Sequence, residues 1–130
     1  GRIVHQLASG STRLAIREVA SKRDFVDVRD AAEAFLLAAT ELPPGVYNVC
    51  SGKSAGIDEL IEAAFEAAGT DPIPIEVEVP DATGSFQCGD PSKIESYGWV
   101  RQHKLVDSLR DAIVEARKLY SMGVPPSARE

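Results

Sequence analysis

The nine residues Lys22-Arg23-Asp24-Phe25-Val26-Asp27-Val28-Arg29-Asp30 constrain the fold more than any other stretch. Phe25, Val26 and Val28 predict a short strand, because aromatic and β-branched side chains suit a half-buried pleated surface. Asp27 predicts a helix cap, its carboxylate accepting from backbone amides two and three residues on. Asp30 then falls in the first helical turn, where a negative charge meets the positive end of the helix dipole. A strand therefore turns directly into a helix, and Arg23 stands at the entrance to the corner. A planar guanidinium there suits bidentate capture of phosphate. A surface ion pair with Asp24 or Asp27 is the alternative for the same residue.

Around this corner the chain alternates. Residues 2–9 predict a helix with Ile3, Val4, Leu7 and Ala8 on one face and Gly10 as its stop. It begins at a raw end, with nothing before Arg2 to cap it, which suggests a missing N-terminal portion. Residues 13–17 predict a strand. Residues 28–42 predict a helix whose inward stripe is Ala31, Phe35, Ala38 and Leu42. The glycine-framed run Gly45-Val46-Tyr47-Asn48-Val49-Cys50-Ser51-Gly52 predicts a strand buried on both faces, as in a parallel sheet.

A second helix is expected at 56–68, with Ile57, Leu60, Ile61, Ala64, Phe65 and Ala68 inward. Residues 73–79 alternate with period two, and Pro74 pushes that strand toward a sheet edge. Residues 80–84 form a loop. Asp90-Pro91 starts a short helix that closes at Gly98. A last helix spans 105–120, with Leu105, Leu109, Ala112, Ala116 and Leu119 inward. The order of elements predicts α/β layering, with residues 1–120 as one domain and 121–130 as a mobile tail.

Charge narrows the partners. The net charge of −6 excludes the basic footprint that nucleic acid requires. Residues 54–92 hold nine acids and no base, and read as solvated faces of a helix and a strand. An anionic ligand therefore belongs to the first or last third of the chain. No apolar run approaches the ~20 residues of a membrane span, and no signal peptide is visible, so a cytoplasmic location is the default. Cys50 and Cys88 make no metal spacing with His5 or His103 and read as small buried hydrophobes.

Several chemistries have no residues to carry them. The ten glycines never form Gly-x-Gly-x-x-Gly, and no phosphate loop or Gly-x-Ser-x-Gly occurs. Tyr47, Tyr97 and Tyr120 are followed four residues on by Ser51, Arg101 and Val124, so none has a lysine one turn away. No residue is assigned a catalytic role and none a cofactor or metal.

Three blocks carry a resemblance. Arg23 to Ala32, Gly45 to Gly52, and Gly89-Asp90-Pro91-Ser92-Lys93-Ile94 with Gly98-Trp99 resemble, in order and spacing, the extended short-chain dehydrogenases/reductases that act on nucleotide sugars. The wording is most similar to GDP-mannose 4,6-dehydratases and GDP-4-keto-6-deoxymannose reductases. The resemblance implies the C-terminal substrate-binding portion of an extended Rossmann-type reductase, with a small mixed sheet and flanking helices. It also implies that NAD(P), expected for the full-length family, is held outside this chain.

By the same resemblance Arg23 contacts the nucleotide or its diphosphate. A second family arginine is replaced here by Pro80, and Arg17 or Arg2 is the candidate to compensate. The expected ligand is a nucleotide sugar, GDP-linked rather than UDP-linked, bound without catalysis. The alternative is a non-catalytic interaction module that pairs through its orphan strand, as a homodimer or with a Rossmann partner chain.

Overall fold

The computed structural model describes residues 1–124 as a mixed α/β arrangement of nine elements. In chain order these are α1 (Arg2–Ala8), β1 (Leu14–Ile16), β2 (Lys22–Asp24), α2 (Val28–Thr40), β3 (Ser54–Gly56), α3 (Ile57–Ala68), β4 (Ile75–Val77), α4 (Ser92–Glu95) and α5 (Leu105–Ser121). The expected small sheet is two separate ribbons. β1 pairs parallel with β4, Leu14 opposite Ile75, and β2 pairs antiparallel with β3, Arg23 opposite Ala55. A third strip joins β2 through a parallel bridge between Lys22 and Phe86.

Two apolar clusters form. The larger joins α1, β1, α3 and α5 through Leu7, Leu14, Ile16, Ile61, Phe65 and Ile113. α3 presents the expected face, with Ile61, Ala64, Phe65 and Ala68 buried, and ends at Gly69 in the left-handed conformation (φ 64°). α5 turns slightly from its expected stripe: Ile113 and Ala116 are buried while Ala112 is exposed. α5 also runs on to Ser121, one residue into the stretch expected as a tail, of which residues 125–130 lie outside the described residues. The smaller cluster packs Ala34 of α2, Ile94 of α4 and Trp99, with Val26, Leu37, Leu42, Tyr47 and Val49 against it.

Three expectations fail, each for a physical reason. β2 occupies Lys22–Asp24, not Phe25–Val28, because Asp24 and Asp27 are drawn into side-chain bonds that bend the backbone into the helix. α2 is rotated from its expected stripe. Asp30 and Ala34 face inward, whereas Phe35 is 71% exposed and Val28 79%. The capture of the Asp30 carboxylate sets that rotation, overriding the apolar pattern. Finally, the run at 45–52 is no strand and is not buried on both faces. Val46 is 84% exposed, and the segment is held sideways by Lys93, whose ammonium donates to the Val46 carbonyl (2.8 Å) and sits 4.3 Å from the Tyr47 ring centroid.

These contacts make a paired expectation. Asp30→Asn should destabilise the chain by about 3 kcal/mol, since it weakens charge-assisted bonds and leaves buried groups imperfectly paired. Phe35→Ala should cost less than about 0.5 kcal/mol, as for other exposed positions. Urea midpoints of the two variants, measured at constant m, check both.

Candidate functional site

Side chains of the nonamer do most of the positioning. The Asp24 carboxylate accepts from the amides of Ser51 (2.7 Å), Gly52 (3.1 Å) and Gly89 (3.2 Å). Burial alone would raise its pKa; these donors outweigh it and hold it below its ordinary value. Asp27 caps α2 through the Arg29 amide (2.8 Å) and pairs with the Arg29 guanidinium (both contacts 2.9 Å). That guanidinium, with the Ser108 hydroxyl also donating, holds Asp27 well below the usual carboxylate range against the opposing effect of burial. Arg29 reaches on to Asp111 of α5 at 2.9 Å.

Asp30 is 1% exposed and accepts from the Gln102 amide (3.1 Å) and the His103 amide (3.2 Å), with the His103 ring at 2.7 Å. Burial would raise this carboxyl too, yet His103 and the two amides leave it below its ordinary value. The Trp99 indole donates to the Asp30 carbonyl at 2.9 Å.

With its neighbouring carboxylates committed elsewhere, Arg23 makes neither of the ion pairs considered from sequence. Its guanidinium donates to the Ser85 carbonyl and hydroxyl, both at 2.7 Å, and to the Lys22 carbonyl at 3.0 Å. It lines a cleft of about 240 Å³ whose second cation is Arg17. Ser21, Thr83 and Ser85 add hydroxyls, Val79 and Ala82 form the apolar part, and Glu18 adds a carboxylate. Glu18 accepts from the Ser21 amide (2.9 Å), and Ser21 lowers its pKa, so it stands ionised.

The Arg17 carbonyl accepts from the Val79 amide at 2.8 Å, while its guanidinium makes no hydrogen bond or ion pair among the described residues. Arg2 lies outside this lining: it is paired with Glu78, which raises its pKa. Arg23 and Arg17 thus come together and Arg2 does not join them. Sequence reasoning missed Glu18, Ser21, Thr83 and Ser85. Only Gly84 hinted at them: any Cβ there would overlap the Ala20 carbonyl, so a glycine is needed for the 84–87 strip to close over Arg23.

The cysteines are not buried hydrophobes: Cys50 is half-buried and Cys88 exposed. Of the five left-handed glycines, Gly10, Gly69, Gly98 and Gly123 follow helices, and Gly52 stands in the turn before β3. No described helix is long and apolar enough to cross a membrane.

The depressed carboxylates fix a pH dependence. Their folded pKa values lie below the unfolded values near ~4, so their stabilisation is complete above that range and is lost as pH falls through it. The urea midpoint should be flat with respect to these groups above about pH 5 and fall steadily below about pH 4. In Asp27→Asn the fall should be shallower.

A model of the NAD dependent epimerase/dehydratase family matches residues 1–50. Probable UDP-arabinose 4-epimerase 1 of Oryza sativa subsp. japonica is 36% identical over 114 residues, covering 82% of this chain and 26% of the relative. The dTDP-6-deoxy-L-talose 4-dehydrogenase (NAD(P)(+)) of Kitasatospora kifunensis is 34% identical over 110 residues, covering 80% and 35%. The structure of RMD from Pseudomonas aeruginosa complexed with NADPH superposes with a TM-score of 0.73 at 28% identity, over 90% of this chain and 40% of that one. The chain is thus similar to the NAD dependent epimerase/dehydratase family, and spans about a quarter to two fifths of the length of these relatives.

Proposed function

We propose that this chain is the C-terminal, nucleotide-sugar-binding portion of an epimerase, dehydratase or reductase, and that it binds the diphosphate of its ligand without catalysing a reaction alone. One observation carries the reading: Arg17 and Arg23 share a cleft, and Arg23 is held in place by Ser85. A guanidinium fixed before the ligand arrives loses little side-chain entropy on binding. The hydroxyls of Ser21, Thr83 and Ser85 suit phosphate oxygens, and the Glu18 carboxylate suits a sugar or ribose hydroxyl.

Size supports a partial site. The cleft is smaller than the roughly 300–1,000 Å³ of pockets that enclose a whole small-molecule ligand. It accommodates a diphosphate and leaves the base and sugar to walls supplied elsewhere. The names of the rice and Kitasatospora relatives carry UDP and dTDP, which favours a pyrimidine over the guanine expected from sequence.

Calorimetry tests this. UDP-, dTDP- and GDP-sugars should bind weakly, and Arg23→Ala should weaken binding by tenfold or more, as expected for a charge-assisted contact of about 1.5–3 kcal/mol. Arg13→Ala, whose guanidinium pairs with Glu76 and does not line the cleft, should leave affinity unchanged. Absence of heat with all three sugars at about 10 mM, on the threshold of the weakest specific binding, with the chain folded, refutes the reading.

A second reading, an interaction module, draws on the exposed apolar residues Val28, Phe35 and Leu36 of α2 and on Val46. Unpaired extended backbone is a template for pairing with another chain. Under this reading light scattering shows a mass that rises with concentration, and Val46→Lys suppresses the rise; a constant monomer mass discards it.

A further inference from the structure

Two turns carry the chain's two thiols, and Asp24 ties those turns together. One oxygen of its carboxylate accepts from both Gly52 and Gly89, at 3.1 and 3.2 Å. Cys50 lies two residues before the first amide, and Cys88 immediately before the second. The Cys50 side chain packs directly on Gly89: a Cβ built there would stand 2.5 Å from the Cys50 sulfur and 2.9 Å from its Cβ. Consecutive Cα atoms are about 3.8 Å apart, so the Cys88 backbone starts one residue from the Cys50 sulfur. The Cys88 thiol lies on the exposed side, donating to the Gly89 carbonyl at 3.8 Å.

We propose that Cys50 and Cys88 are a thiol–disulfide exchange pair that reacts with a small-molecule disulfide such as oxidised glutathione and closes into an intramolecular bridge. Exposure sets the order of events. The Cys88 thiolate attacks the external disulfide, forming a mixed disulfide and releasing one small thiolate. The Cys50 thiolate then attacks the Cys88 sulfur and expels the second small thiolate. Two protein thiols are oxidised to one disulfide, one external disulfide is reduced to two thiols, and the two protein protons pass through solvent to the released thiolates.

Burial pushes the Cys50 thiol up, with Asp24, Cys88 and Asp90 adding to the effect, so the closing step quickens as pH rises. Cα separations in disulfides run from about 4.4 to 6.8 Å, and the side that adjusts is the exposed 85–88 strip. Closure would fasten that strip, which bears Ser85 and therefore Arg23, to the turn at 50–52. The pair stands on its own geometry and does not rest on nucleotide-sugar binding.

The test is to incubate the native chain with oxidised glutathione and follow intact mass, free thiols and a peptide map. The expected product is two hydrogens lighter than the reduced chain, has no free thiol, and yields a peptide linking Cys50 to Cys88. Its formation should accelerate as pH rises through and beyond the ordinary cysteine value of about 8.5. Cys50→Ser should stop as a stable glutathione adduct at Cys88. A wild-type chain that stops at that same adduct with Cys50 still alkylatable, or that instead forms a disulfide-linked dimer, overturns the proposal.

Discussion

A single sunken carboxylate governs how this chain comes together. Asp30 sits at the start of α2 with almost no contact with water, and three groups from residues 102–103 converge on it. Leaving a charge in that position unpaired would cost several kcal/mol, so the segment from Trp99 to His103 must dock there. The docking delivers Trp99 into the smaller apolar cluster and launches α5 toward the larger one. Asp24 and Asp27 work the same way at intervals of three residues. One gathers the turns at 51–52 and 89; the other grips α5 through Ser108 and Arg29. The two clusters share no core, and these carboxylates are a large part of what relates them.

That arrangement shapes the cleft as well. In a stretch so rich in acids, Arg23 would ordinarily be neutralised by a neighbour. Each neighbouring carboxylate is already filled by amides, by Arg29 or by His103, so the guanidinium is left to neutral oxygens of Ser85 and Lys22. Neutral partners hold it without cancelling its charge. Arg17 adds a second cation, and Glu18 subtracts one, so the cleft is cationic by a narrow margin. The local balance of charge is thus opposite in sign to that of the whole chain, whose net charge is −6.

Sequence and structure agree where local physics suffices. Asp27 as a cap, the buried stripe of α3 and its glycine stop follow from neighbours within a turn or two. The blocks of resemblance pointed to the family that the comparisons support. The face of α2 could not be read this way, because Asp30 is held by residues 72 and 73 positions away. The 45–52 run reads as a strand buried on both faces because its composition suits one, yet composition does not supply neighbours for its backbone. Ser85 was invisible for a similar reason: nothing in its own surroundings marks a residue that meets Arg23 from 62 positions off.

The strip that holds Arg23 follows the two-residue alternation of extended backbone. Ser85 turns its hydroxyl toward the guanidinium, and Phe86, next in line, faces outward into solvent. Gly84, which alone fits against the Ala20 carbonyl, pins that register; a one-residue slip of the strip would present a phenyl ring where the hydroxyl had been. A glycine that touches nothing in the cleft therefore decides whether its wall is polar or greasy.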